Sequence, residues 1–337
     1  MGRNPGRFPL RSIERPFLRA RPEEVSISAI QKPVDYPLKA LFFMVLAQLM
    51  FSSNIFMLRV TERVETVLSG ATFHLSAWEP MFYRSVALSV WCLASLWRDP
   101  GERPSGRESL WLWIRGIVGV LSLSAYYYGV LHIPLGMASL FSNSSPLYVT
   151  LLAILFTGEK VAGLRLVSVI FGFLGVALVA WGALKDTASI AGFDVIIAAI
   201  SGPMAALAYF SIRQLKRIKN EQIMLSLGLG GVLLSAGVLV LRGWHPPVSA
   251  SAHGVLIASV IPAVAAQYCL TRAFRLAPAS QVSPLQYMGP VFSSVYGNLF
   301  LDESLPHIAL FGVVVVLLFG LVVPYIDAIA KRERAPL

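Results

Sequence analysis

VLHIPLGMASLFSNSSPLYVTLLAILFTGEKV (130–161) returns, in pattern more than in letters, as FRLAPASQVSPLQYMGPVFSSVYGNLFLDESL (274–305). At an offset of 144 residues Pro134 meets Pro278, Ser139 meets Ser283, Pro146 meets Pro290 and Glu159 meets Glu303; one residue further on, Gly175 meets Gly320. A break, a small polar stripe, an interior proline in an apolar run and a closing acid recur in the same order. That is the mark of an internal repeat.

Working outward from the pair, the chain divides into ten apolar segments: Leu38–Leu58, Trp78–Trp97, Leu110–Leu131, Leu135–Thr157, Val161–Trp181, Phe193–Ile212, Ile223–Leu241, Val255–Ala273, Ala279–Leu301 and Leu305–Ile326. Each is long enough to cross a hydrocarbon core of ~30 Å as a helix of about 20 residues. Pro134 and Pro278 mark the breaks before the fourth and ninth segments, because proline cannot continue a helix. With 56% hydrophobic and 14% charged residues, the chain has about half the charged share of a soluble domain. Such a surface suits lipid. The fold class expected is therefore an all-α membrane protein of ten transmembrane helices. Five is odd, so the second set enters the membrane from the opposite side. The layout predicted is two inverted five-helix repeats around a central cavity.

Loop charge predicts orientation. With the N-terminus inside, the inner segments hold 22 Lys and Arg and the outer loops 4, which places both termini in the cytoplasm. The domains expected are a basic N-terminal arm (1–37), a first repeat (38–184), a second, inverted repeat (185–327) and a short cytoplasmic tail (328–337). The arm carries Arg at 3, 7, 11, 15, 19 and 21; it reads either as a disordered tail or as a segment lying on anionic headgroups. The net charge of +10 is split among apolar runs, so no continuous basic face forms and no nucleic-acid partner is expected. Cys92 and Cys269 lie singly inside apolar runs and build neither a disulfide framework nor a metal motif. No phosphate loop or nucleophile elbow is present, so the sequence predicts no enzyme, no cofactor and no metal. The expected partners are a small-molecule substrate and the lipid bilayer, with no obligate protein partner.

The runs SLFSNSSPLYVTLLAILFTGEK and APASQVSPLQYMGPVFSSVYGNLFLDES resemble the helix-4 and helix-9 signatures of EamA-type members of the drug/metabolite transporter superfamily. Tyr83-Arg84 and Arg115-Gly116 also match positions where that family carries Arg and Arg-Gly. The resemblance spans Leu38 to Ile326 and implies an exporter in a bacterial inner membrane. Bacterial amino-acid exporters, aromatic amino-acid exporters included, are the branch it most resembles. The long basic arm departs from the compact pattern of the family.

Polar groups are costly in lipid, so those inside transmembrane helices face a cavity or another helix. On a 3.6-residue period, Ser139, Ser142, Asn143 and Pro146 share one stripe, and Ser283, Gln286, Tyr287, Pro290 and Ser294 share its counterpart. Ser52, Ser53 and Asn54, Ser122 and Ser124, and Gln267 and Tyr268 add polar groups from other helices. Packing glue between helices is the competing reading for any single serine; for the two stripes together a substrate cavity is favoured. Tyr126, Tyr127 and Tyr128 are consecutive, and neighbours on a helix lie about 100° apart, so they point different ways; Tyr127 or Tyr128 is the expected cavity residue. Arg84 has three readings: a structural residue, an ion pair with Glu79, or an anchor for a substrate carboxylate. Arg115 reads as structural or snorkelling, and Glu159 and Glu303 as helix latches or as gates.

The predicted function is alternating-access export of small neutral or zwitterionic metabolites, amino acids first, without a dedicated carboxylate relay. A broad drug exporter is the alternative within transport. A non-transporting receptor or an intramembrane enzyme is the alternative of another class.

Overall fold

The computed structural model describes residues 37–132, 141–157, 163–182, 192–300 and 307–322, with 325, 326 and 329. Every regular element among them is helical. In chain order these are α1 (Pro37–Ser69), α2 (Trp78–Arg98), α3 (Gly106–His132), α4 (Ser145–Thr157), α5 (Gly163–Gly182), α6 (Gly192–Gln214), α7 (Asn220–Arg242), α8 (Ala250–Leu276), α9 (Met288–Phe300) and α10 (His307–Val316). A single helical turn (Ala279–Val282) and a 3₁₀ segment (Ser283–Tyr287) precede α9, and a π-helical turn (Leu317–Val322) follows α10.

Among the described residues five helices are long and apolar enough to cross a membrane: Leu38–Ser69, Gly106–Gly129, Gly192–Gln214, Asn220–Arg242 and Ala250–Leu276. Ser145–Phe156, Gly163–Leu178 and Leu310–Val322 are shorter apolar helices. The sequence reading expected ten spans of similar length, and four of the differences have physical causes. α1 does not stop at Leu58 but runs on to Ser69, because 59–69 holds no helix breaker before Gly70, which closes the helix at φ 69°. α2 is diluted by Glu79 and Arg84, both turned inward and buried. The ninth segment is no continuous helix: Pro284 and Pro290 lack the N–H groups that an α-helix needs, and the chain tightens into the 3₁₀ turns at Ser283–Tyr287. The fourth does the same before Pro146, where Ser144 N–H donates to Phe141 O at 3.2 Å and Leu147 N–H to Ser144 O at 3.0 Å. Asn143 of the first stripe, and Ser283, Gln286 and Tyr287 of the second, thus sit where the α-helix is interrupted.

The outside is apolar. Trp97 is 86% exposed, Leu233 75% and Ile261 73%, a surface matched to lipid rather than to water. Inside, α1 packs most heavily on α8, α3 on α6, α2 on α7 and α5 on α10, with α4 against α6 and α9 against α1. Moving each helix five places along the chain turns α1–α8 into α6–α3 and α4–α6 into α9–α1, and leaves α2–α7 and α5–α10 as themselves. Without a hydrophobic drive between helices in lipid, close approach depends on small residues. Gly228 on α7 is one: a Cβ there would lie 3.2 Å from the backbone nitrogen of Ser89 on α2. Gly175 on α5 likewise abuts the backbone of α10 at Val316 and Gly312.

Candidate functional site

The helix pairs enclose a cavity of about 130 Å³, lined from α1, α2, α3, α6, α7, α8, α9 and both unwound segments. Each wall follows from a local feature already described. α1 presents Gln48, Phe51, Ser52, Asn54 and Ile55, one stripe of a long helix. α2 contributes Arg84, and α3 contributes Arg115, Ser122, Tyr126 and Tyr127. α8 contributes Gln267, and the unwound stretches bring Ser142 and Asn143 from one side and Gln286 from the other.

Arg84 is 4% exposed and donates from Nη2 to Gln267 Oε1 at 3.0 Å. Its guanidinium carbon stands 5.4 Å from the centre of the Phe51 ring, within cation–π range. Gln267 is itself fixed, its Nε2 donating to Thr271 Oγ1 at 3.3 Å. Of the three readings of Arg84, the ion pair with Glu79 is overturned: a Glu79 Oε1 accepts the backbone N–H of His245 at 3.2 Å instead. Several hydroxyls are satisfied by backbone carbonyls, as helix-packing serines are. Ser52 Oγ donates to Gly289 O at 2.9 Å and Ser122 Oγ to Ser201 O at 2.8 Å. Asn54 Nδ2 donates to Ser259 O at 2.9 Å, joining α1 to α8 at the cavity edge.

Of the residues singled out in the sequence, Asn54, Arg84, Tyr127, Ser142, Asn143, Gln267, Gln286 and Pro290 line this one cavity. Others lie off it. Tyr128 turns away and donates from its hydroxyl to Asp194 Oδ1 at 2.7 Å, leaving Tyr127, with Tyr126, on the cavity wall. Tyr268 packs edge-on against Trp91 at 5.7 Å. Tyr287 is fully buried beside Gly172 and donates to Val169 O at 3.0 Å, a packing role between the 3₁₀ segment and α5. Pro146 and Ser283 are buried away from the lining, and Ser293 rather than Ser294 reaches the cavity. Ser139, Glu159 and Glu303 lie outside the described residues.

Sequence reasoning passed over Gln48, Tyr209 and Ser293, which line the cavity, and misread Arg115. That arginine does not snorkel: it is 2% exposed and faces inward. The helix begins at Gly106, ahead of the Leu110 start read from the sequence, so about 14 Å of helix lies before Arg115 at ~1.5 Å per residue. The lining holds two guanidinium groups and, among the described residues, no carboxylate.

A lipid-matched exterior around a buried polar chamber is the build of a polytopic membrane transporter. The chain belongs to the EamA-like transporter family, which matches it twice, over residues 38–181 and 192–323. It is 27% identical over 260 residues to an uncharacterized transporter of Helicobacter pylori, covering 74% of this chain and 86% of that one. It is 29% identical over 242 residues to the pseudopaline exporter CntI of Pseudomonas aeruginosa, covering 71% and 83%. A riboflavin transporter of Rhizobium johnstonii is 26% identical over 226 residues, covering 66% and 72%. A solved crystal structure shares the fold with a TM-score of 0.66 at 16% identity, over 86% of this chain and 99% of that one. The family and these relatives make the protein a transporter and not an enzyme.

Proposed function

We propose that the protein exports small carboxylate-bearing metabolites, amino acids first among them, across a bacterial inner membrane with both termini in the cytoplasm. The observation that carries this reading is Arg84, buried on the wall of a polar chamber and held in place by the neutral Gln267 rather than by an acid. A guanidinium offers five N–H donors in a planar fork, and one such bond is made here. The rest suit a carboxylate, which the fork grips bidentately. Amides and hydroxyls around it suit an ammonium or hydroxyl group. The relatives carry names with different cargoes at similar identity, so cargo choice belongs to cavity side chains and not to the shared fold.

Alternating access is supported by the exchange of helix pairs under a five-place shift and by the duplicated unwound segments. Both fit two inverted five-helix units rocking about the chamber between them. Because no acid lines the chamber among the described residues, transport is facilitated or by exchange, without a carboxylate relay. Counterflow of labelled amino acids into proteoliposomes loaded with the same solute tests the reading. Silence across the whole panel sinks it, and movement of amphipathic cations in place of amino acids makes the protein a broad drug exporter. Uphill uptake driven by a pH gradient and lost in Glu79→Gln would overturn the uncoupled mechanism.

A further inference from the structure

Arg115 has no task in the reading just given. It is among the largest fully buried side chains, lines the chamber, and accepts no charge compensation from the lining. Its Nε is buried without a hydrogen-bond partner. The site around it is shaped for the side chain: one turn on, Gly119 leaves the space that the guanidinium fills, and a Cβ there would collide with Arg115 Nη1 and come within 2.9 Å of Leu227 on α7. A guanidinium buried with no anion costs several kcal/mol. Here two of them face one small chamber and repel each other.

A zwitterion does not repair this. Its single carboxylate answers one arginine and leaves the other without a counter-charge. A substrate with two carboxylates neutralises both. Gln286, whose Nε2 is likewise buried and unpartnered, supplies a further donor at the same wall. Planar carboxylates match two guanidinium forks better than phosphate does here, since among the described residues the lining has no lysine and no glycine-rich N–H cradle.

We infer that Arg84 and Arg115 form a two-point clamp that selects small substrates with two carboxylates, acidic amino acids or dicarboxylates of similar size, over neutral amino acids. This rests on the export reading above and sharpens its substrate class.

The test is counterflow by the full chain in proteoliposomes, with L-glutamate and succinate as doubly carboxylated probes, L-glutamine as the neutral isostere and phosphoserine as the phosphate probe. Wild type should move glutamate and succinate at least tenfold faster than glutamine. Arg115→Gln should lose that advantage by tenfold or more, glutamate and succinate counterflow falling far more than glutamine counterflow, since a hydrogen bond to a charged group is worth about one to two decades of affinity. Equal losses for glutamate and glutamine in Arg115→Gln would make the residue structural, and a preference for glutamine in wild type or for phosphoserine over all others would also overturn the clamp. If Arg115→Gln does not fold, thermal stabilisation of the wild type decides: saturable protection by glutamate and succinate but not glutamine supports the clamp, and equal protection refutes it. Movement of neutral amino acids alone removes the clamp and leaves the export reading standing. No movement of any probe or panel amino acid removes both.

Discussion

Gly175 and Gly237 offer a paired test of the packing. Both are helical glycines, so Gly→Ala at either gains about 1 kcal/mol of helix propensity. At Gly237 nothing lies within 4 Å of the new Cβ, so the gain stands. At Gly175 the Cβ would meet Val316 Cγ2 at 2.8 Å, Val316 N at 2.9 Å and Gly312 O at 3.0 Å. Comfortable contact between such atoms lies near 3.5–4.0 Å, so α10 must retreat by roughly half an ångström or more. The nearest atoms include backbone, which cannot rotate aside. Overpacking of this kind costs about 1–3 kcal/mol, and the net effect ranges from neutral to about 2 kcal/mol destabilising. Gly175→Leu should be far worse, because the whole α5–α10 seam must open. Thermal unfolding of the detergent-purified protein can be followed with a thiol-reactive dye, since Cys92 and Cys269 are both free and buried. The midpoints should rank Gly237→Ala above wild type and wild type at or above Gly175→Ala, with Gly175→Leu lowest. A Gly175→Ala protein that melts as high as Gly237→Ala would refute the α5–α10 packing.

Three smaller perturbations follow from single contacts. Tyr287→Phe removes the hydrogen bond to Val169 O and leaves a buried carbonyl short of a partner, so the midpoint should fall by an amount matching about 1 kcal/mol with no shape change in gel filtration. Ser249 caps α8, accepting from Ala252 N, and its hydroxyl also donates to Glu65 on α1; Ser249→Ala should lower the midpoint by about 1 kcal/mol or more, and Ser249→Asp, facing Glu65, should not rescue it. Arg217→Ala breaks an exposed pair with Glu102, both side chains being more than 60% accessible, and the midpoint should stay within about 0.5 kcal/mol of wild type.

How much of this was legible beforehand depended on whether the signal was periodic and local. The apolar runs, the positions of Pro134, Pro146, Pro278 and Pro290, and the offset of 144 residues are all in the letters. They place helices and mark the two polar stripes. The ninth segment was misread as one helix, although Pro284 stood in view; one proline near a helix start is compatible with a helix, and two within seven residues are not. Within the stripes, only rotation decides which side chain looks inward. Ser293 rather than Ser294, and Tyr127 rather than Tyr128, line the cavity, a difference of about 100° set by how each helix is rotated against its neighbours.

The sequence by itself determined that the chain is helical, lies in a membrane and is doubled, because hydropathy, proline and repeat spacing act along the chain. Only the tertiary structure decided the partners of the charged groups. Glu79, five residues before Arg84, was one of three readings of its partner, yet Arg84 bonds to Gln267, 183 residues away. Arg115, read from its place near a helix end, faces the chamber beside Gly119. What a buried charge touches is set by helices brought together from distant parts of the chain, and hydropathy along one helix holds no record of that.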